Sequence, residues 1–288
     1  MNLYISTTFL PDNSKLLEAL RRCVDVNIKS VEIGSNHCFE KNYNYLDNFD
    51  FNFLIHNYFP IPRNSFVLNI ASQDSHIRNR SIEHIEKAIT LSAKINAKLY
   101  TFHPGFLTDP NGSNISNKNY DFQWDEKQLF HSNFEKASQL MYNALDHIIL
   151  FASKNKVRIA IETEGSLNKK NHLLMQRPEE YQNFMNNYSK NDIGINLNIG
   201  HLNLAANAFN FNRIEFVNLI REYICAMELS HNNGIEDEHL PLKENEWYWE
   251  IICDKQFENI YKILEFRNTG ISEIKSNINL FEEKSSAL

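Results

Sequence analysis

Eight short apolar runs alternate with longer stretches of helical periodicity along this 288-residue chain, and no other feature constrains the fold as strongly. The runs are 3–9, 31–33, 53–56, 98–103, 157–162, 193–199, 226–231 and 261–266. They are too brief for helices, and several are β-branched. Between them, 15–26 carries Leu16, Leu17, Leu20 and Val24 on one helical face. The segment 75–93 carries Ile77, Ile82, Ile85, Ile89 and Ala93, and 126–152 has a stripe with Leu140, Ala144 and Ile148. Shorter helical candidates are 179–188, 213–223 and 272–282. Eight strands alternating with helices predict a parallel α/β fold, and this length suits a (β/α)8 TIM barrel forming one domain over 1–288. The rival is an open doubly wound sheet, whose nucleotide-binding forms carry a glycine-rich turn after the first strand. Here that turn reads Phe9-Leu10-Pro11-Asp12-Asn13-Ser14, and neither G-x-G-x-x-G nor a P-loop occurs in the chain.

Composition narrows the function classes. Hydrophobic residues make up 42% and charged residues 23%, and twenty Phe with twelve Tyr supply a large core, so a disordered chain is excluded. No window approaches 18 consecutive apolar residues, so no membrane span is expected. The start, Met1 to Ser6, reads as a first strand and not as a leader peptide. Cys23, Cys38, Cys225 and Cys253 have no C-x-x-C spacing and read as reduced thiols of a cytoplasmic protein. A net charge of −7 argues against gripping phosphate backbones over a broad face, although a local basic site is compatible with it.

Polar residues gather where the runs stop. Run three ends Leu54-Ile55-His56, run four Thr101-Phe102-His103-Pro104-Gly105, and run five Ala160-Ile161-Glu162. Run six ends Leu197-Asn198-Ile199-Gly200-His201, run seven Leu229-Ser230-His231, and run eight Leu264-Glu265. In a TIM barrel the active site collects at this C-terminal rim. Glu162, Asn198, His231 and Glu265 are separated by 36, 33 and 34 residues, one β-α unit each, so they converge in space. Strand alternation places Glu162 with Ala160, Asn198 with Asn196 and Glu265 with Ile263 inward, leaving Ile161, Leu197 and Leu264 for the helical shell. Inward carboxylates need a cation or hydrogen bonds. With several imidazoles beside them they point to a divalent metal, Zn2+ or Mn2+ rather than Ca2+. Beyond run seven, Asp237 and His239 stand two apart, able to share one cation with His201. His37, His76, His84, His131, His147 and His172 fall on helices or loops and read as ordinary polar residues, and Glu164, Glu236 and Glu238 as solvated or supporting ones.

These residues resemble the xylose isomerase-like TIM-barrel superfamily, which contains sugar-phosphate isomerases and epimerases as well as endonuclease IV. The likeness spans essentially the whole chain. It is clearest in His56-Asn57-Tyr58, Asn69-Ile70-Ala71-Ser72 with Arg80-Ser81, His103-Pro104-Gly105, Glu162-Thr163-Glu164-Gly165 and Asp237-Glu238-His239-Leu240-Pro241-Leu242. The endonuclease IV-like branch implies three zinc sites: His56, His103 and Glu162; then Glu162, Asn198, His231 and Glu265; then His201, Asp237 and His239. The isomerase branch implies mainly the second. Asn198 departs from the family's Asp and can ligate only through a neutral carbonyl oxygen.

Three functions follow as expectations. The favoured one is an isomerase or epimerase of a sugar or sugar phosphate with one to three divalent ions, in which Glu162 and Glu265 exchange a proton with the carbon next to a carbonyl. Lys169, Lys170 or Arg177 are candidates to meet a substrate phosphate, although a solvated basic loop is the simpler reading. The second is an apurinic-site endonuclease, the only reading with DNA as partner. Against it, the loop 35–50 carries one base, Lys41, against Glu40, Asp47 and Asp50. The third is a non-catalytic barrel that binds a small polar ligand, supported only by Asn198.

Overall fold

The computed structural model of the chain describes residues 2–109, 115–116, 119–120, 130–165 and 173–286. Eight parallel strands close into a barrel: β1 (Leu3–Ser6), β2 (Ser30–Ile33), β3 (Asn52–His56), β4 (Tyr100–Phe102), β5 (Ile159–Glu162), β6 (Gly194–Asn198), β7 (Ile224–Leu229) and β8 (Tyr261–Leu264). Each strand pairs with its sequence neighbour, and β1 closes on β8 with Tyr4 opposite Ile263. All eight apolar runs of the sequence are therefore strands of a (β/α)8 barrel. The segment 109–120 expected as a loop contains a small antiparallel pair, Ile115–Ser116 with Asn119–Tyr120. Among the described residues no helix is long and apolar enough to cross a membrane.

Helices wrap the strands: α1 (Leu16–Asp25), α2 (Ser75–Lys94), α3 (Phe130–Asn155), α4 (Pro178–Asn187), α5 (Ile199–Phe209), α6 (Arg213–Ile220), α7 (Trp249–Ile252) and α8 (Ile271–Ser286). The face that α1 buries is Leu16, Ala19, Leu20 and Cys23, so the predicted stripe holds at Leu16 and Leu20 but is rotated: Leu17 is only half-buried and Val24 is exposed. Removing the Leu20 side chain to Ala would cost about 2–5 kcal/mol. Asp74 caps α2 by accepting from the His76 amide at 2.8 Å. Between β2 and β3 only a 3-10 turn, Asn44–Asn48, replaces the usual helix.

Two expected boundaries shift. Run one ends as a strand at Ser6, and Thr7–Phe9 form a 3-10 turn. Run six stops at Asn198, whose side chain caps α5 by accepting from the His201 amide at 3.1 Å. His201 thus sits on the first turn of a helix, not on a strand end. Every residue from Ile199 to Ala206 is buried, so the segment lacks the polar face that marks a surface helix.

The inside of the barrel is divided by height. Tyr4, Leu54, Leu99, Ala160, Ala226 and Ile263 form a closed apolar layer. Above it the inward positions are polar and buried: Ser6, Glu32, His56, Thr101, Glu162, Asn196, Asn198, Glu228 and Glu265. Ile161, Leu197 and Leu264 face the outer core, as alternation requires.

Gly105 shapes the turn after β4. Its φ is +114°, and a Cβ there would stand 2.6 Å from Asn69 Oδ1, which already accepts from the amides of Ala71 and Phe106. Gly105→Ala is therefore expected to cost about 1–3 kcal/mol of unfolding free energy. A urea melt measures it, and an unshifted midpoint would contradict this account of the turn.

Candidate metal centre

Eight of the nine residues singled out as ligands form one chain of contacts at the barrel mouth. Glu162 is its hub. His201 Nδ1 lies 3.0 Å from Glu162 Oε1, and the Asn198 amide nitrogen donates to the same oxygen at 2.9 Å. On the other side, Glu162 Oε2 lies 3.5 Å from His56 Nε2 and 3.6 Å from His103 Nε2. His201 Nε2 faces Asp237 Oδ2 at 3.7 Å, Asp237 Oδ2 meets His239 Nε2 at 2.9 Å, and His239 Nδ1 lies 3.0 Å from Glu265 Oε2. The ninth residue, His231, stands apart from these ion pairs. Its backbone exchanges two hydrogen bonds with Leu240, anchoring the loop that carries Asp237 and His239, and its Nδ1 lies 3.8 Å from Glu246.

Two groups on this chain can hold an ion: His56, His103 and Glu162, and His201, Asp237 and His239, each with ligand atoms within 4.8 Å of one another. Separations of 3.5 and 3.6 Å are close to the edge of a tetrahedron whose ligands lie about 2.0–2.2 Å from its centre. Buried Glu162 Oε2, Asp237 Oδ1, His231 Nδ1 and His239 Nδ1 complete no hydrogen bond. Carboxylate oxygens and imidazole nitrogens gathered at this spacing fit a divalent metal, and in its absence protonated imidazoles can pair with the carboxylates instead.

Three of these histidines are each held by a further contact. His103 Nδ1 is 2.5 Å from Glu164 Oε1, which leaves Nε2 for the mouth. Glu164 is buried, so the sequence reading of it as solvated fails and its supporting role stands. His201 Nδ1 is 2.8 Å from the Thr163 carbonyl, again leaving Nε2. His56 Nδ1 rests 2.8 Å from Thr101 Oγ1.

Electrostatics follows the same map. Burial opposes ionisation of Glu162, but the charges of His103, His201 and His56 outweigh it and hold the carboxyl well below its usual range. Glu265 behaves alike: burial raises it, His239 overcomes this, and it falls to about 2. Burial lowers His103, yet Glu164 and Glu162 carry it up to about 9. His239 also reaches about 9, burial being outweighed by Asp237 and Glu265.

Asn198 presents nitrogen to the site. Its Nδ2 donates to Glu162 Oε1 and to Glu228 Oε2, both at 2.9 Å, while its Oδ1 caps α5. A flipped amide would set oxygen against two carboxylates. Asn198→Asp is expected to cost the metal-free protein about 1–3 kcal/mol, because two donated bonds become repulsions. The same change adds a negative charge beside the ion position, so the thermal shift on adding Mn2+ should grow. An unchanged shift would remove Asn198 from the site.

Two acids within the barrel escape the sequence reading: Glu32 and Glu228, both inaccessible to solvent. Their sequence signal is an acid at the inward parity of an apolar strand, in Val31-Glu32-Ile33 and Met227-Glu228-Leu229. Lys169 and Lys170 lie outside the described residues, as does His172, and the His131 side chain is likewise not described. Arg177 pairs with Glu180 and Glu179 at the start of α4. His37 is buried against Thr7 Oγ1 at 2.7 Å, and the His84 ring packs on Tyr58 and Phe66, so neither joins the mouth.

The family model for the xylose isomerase-like TIM barrel matches residues 35–284. The uncharacterized protein MJ1614 of Methanocaldococcus jannaschii is 24% identical over 288 residues, covering 98% of this chain and 99% of that one. Among solved structures, a D-tagatose 3-epimerase-like protein superposes with a TM-score of 0.75 at 20% identity, covering 100% of this chain and 99% of its own. The 3-keto-D-glucoside 4-epimerase of E. coli superposes with a TM-score of 0.66 at 10% identity, covering 99% of each chain.

Proposed function

The chain belongs to the xylose isomerase-like TIM-barrel family, and from that membership we propose that it is a divalent-metal-dependent isomerase or epimerase of a sugar or sugar phosphate. The observation that carries the reading is the pair Glu162 and Glu265, both held ionised at neutral pH on one barrel mouth and joined through imidazoles. Epimerases among the proteins of similar fold support it.

The residues that would hold an ion are His56, His103 and Glu162, and His201, Asp237 and His239 with Glu265 beside them; Asn198, which donates its amide to Glu162, and His231, which stands apart, would join only after their side chains turn. A bound Zn2+ or Mn2+ supplies Lewis-acid polarisation of the substrate carbonyl. The protein residues do the rest. One of Glu162 and Glu265 removes the proton from the carbon next to that carbonyl, and the other returns it. Return to the opposite face of the same carbon gives epimerisation, and return to the neighbouring carbon gives isomerisation. Glu164 and the Thr163 carbonyl hold His103 and His201 in place. The closed apolar layer below the mouth keeps solvent from entering from beneath.

The separate group His201, Asp237 and His239 favours a second reading, a multi-metal phosphodiesterase acting at abasic sites. Parallel assays decide between them. One follows solvent deuterium entering a panel of ketoses and their phosphates, and the other follows nicking of abasic duplex DNA. Deuterium uptake without nicking is expected. Nicking alone would replace the proposal with the second reading, and neither activity in a protein that takes up no metal would leave a ligand-binding barrel.

A further inference from the structure

Beneath the mouth lies a chamber-like group of buried side chains, two of which, Glu32 and Glu228, the proposed reaction does not use. Glu32 on β2, Glu228 on β7 and His56 on β3 each bring a ligand atom within 4.8 Å of the others. His56 Nδ1 is 3.3 Å from Glu228 Oε1. Glu228 is supported by donors, accepting from Asn196 at 2.7 Å and from Asn198 at 2.9 Å. Glu32 is inaccessible to solvent, neither of its carboxylate oxygens completes a close hydrogen bond, and its one donor contact is the looser one from Ser6, its register partner on β1. Asn196 Oδ1, on the amide that donates to Glu228, is orphaned as well. Among the described residues the one base within ion-pair distance of Glu228 is His56, and no Lys or Arg pairs with Glu32. A fully enclosed carboxyl with so few donors needs either a proton or a positive partner to be buried.

We infer that this chamber is a buried site for one divalent cation of the Mn2+ or Zn2+ class, held by Glu32, Glu228 and His56 Nδ1. The 3.3 Å between His56 Nδ1 and Glu228 Oε1 is the edge expected of two ligands about 2.0–2.2 Å from a shared tetrahedral ion. Mixed carboxylate and imidazole donors select this class over Ca2+. Thr101 Oγ1, now 2.8 Å from the same nitrogen, turns away when the ion binds.

Two consequences follow from the geometry. A neutral imidazole has one lone pair. When His56 gives Nδ1 to the chamber, its proton sits on Nε2 and faces Glu162 Oε2, so His56 serves the chamber or the mouth but not both. The apolar layer seals the chamber from below, so an ion enters and leaves past His56 and Glu162, and exchange is slow.

The test loads the whole protein with Mn2+, washes it with a strong chelator and counts the retained metal. Wild type and His103→Ala are expected to keep one resistant ion per chain, because His103 belongs to the mouth alone. Glu32→Gln is expected to lose that ion while remaining folded by circular dichroism, since the amide keeps the shape of the side chain and carries no charge to bury. Glu228→Gln replaces it should Glu32→Gln fail to fold. A resistant ion that survives both changes overturns the site. So does a wild-type protein stripped completely that shows a protonated-carboxyl infrared band abolished by Glu32→Gln, because a proton then does the cation's work. Since the chamber is tested in His103→Ala, loss of the mouth chemistry and loss of this site are read separately.

Discussion

Glu162→Gln is expected to lower turnover by about 100- to 10,000-fold, the range for loss of a positioned acid–base group. Four side chains converge on this carboxylate: His56, His103, Asn198 and His201. The amide keeps the shape but removes one of the charges that raise His103 and His201 in the metal-free protein, Glu164 and Asp237 being the larger ones. It also removes the anionic oxygen facing His56 and His103, so Mn2+ affinity should fall in parallel. Glu265→Gln should lose turnover too, while His56, His103 and Glu162 keep their ion. Steady-state kinetics with metal titrations of both variants separate the roles. Full activity in both would show that neither carboxylate moves a proton.

The second large effect is a stability profile that inverts with metal. His103 and His239 have folded values of about 9 against an ordinary 6.5. Their contribution is complete below 6.5 and is lost as pH rises through about 9. His37 and His84 are lowered to about 4, chiefly by burial, so their contribution is present above 6.5 and is lost as pH falls towards about 4. Glu265 adds stability that disappears as pH drops from 4.5 through about 2. His103 and His239 together weaken the metal-free protein as pH rises above 6.5, and buried Glu32 and Glu228, both raised by burial, act in the same direction, while His37, His84 and Glu265 oppose them on the acid side. Metal must displace protons from the mouth imidazoles, so its affinity climbs over the interval in which the metal-free protein weakens. Thermal unfolding from pH 5 to 9.5, with chelator and with Mn2+, should give two curves that diverge above pH 6.5. A metal-free curve still rising from 6.5 to 9 would contradict the imidazole–carboxylate pairing.

The barrel was legible because its signal is repeated eight times and each strand is bounded by polar residues. Parity was equally readable: Ala160 and Glu162 share the inside, while Ile161 joins the outer core. The start of α5 was not. A helix buried on every side has no polar stripe, so Ile199-Gly200-His201 reads as a continued strand, and only the Asn198 cap marks the change. Glu32 and Glu228 escaped notice for a different reason. They lie in mid-strand, one level below the rim where reactive groups are sought, and only closure of the barrel brings them near His56. Glu164 depended on tertiary packing as well: next to a strand end it looks solvated, yet the His103 ring covers it.

Anomalous scattering from crystals grown with Mn2+ addresses the central claim most directly. The account predicts a peak at the mouth within bonding distance of Glu162 Oε2, His103 Nε2 or the other carboxylate and imidazole atoms gathered there. Saturating Mn2+ that leaves this mouth without a peak, while Glu162 stays within reach of His103 and His201, would contradict it.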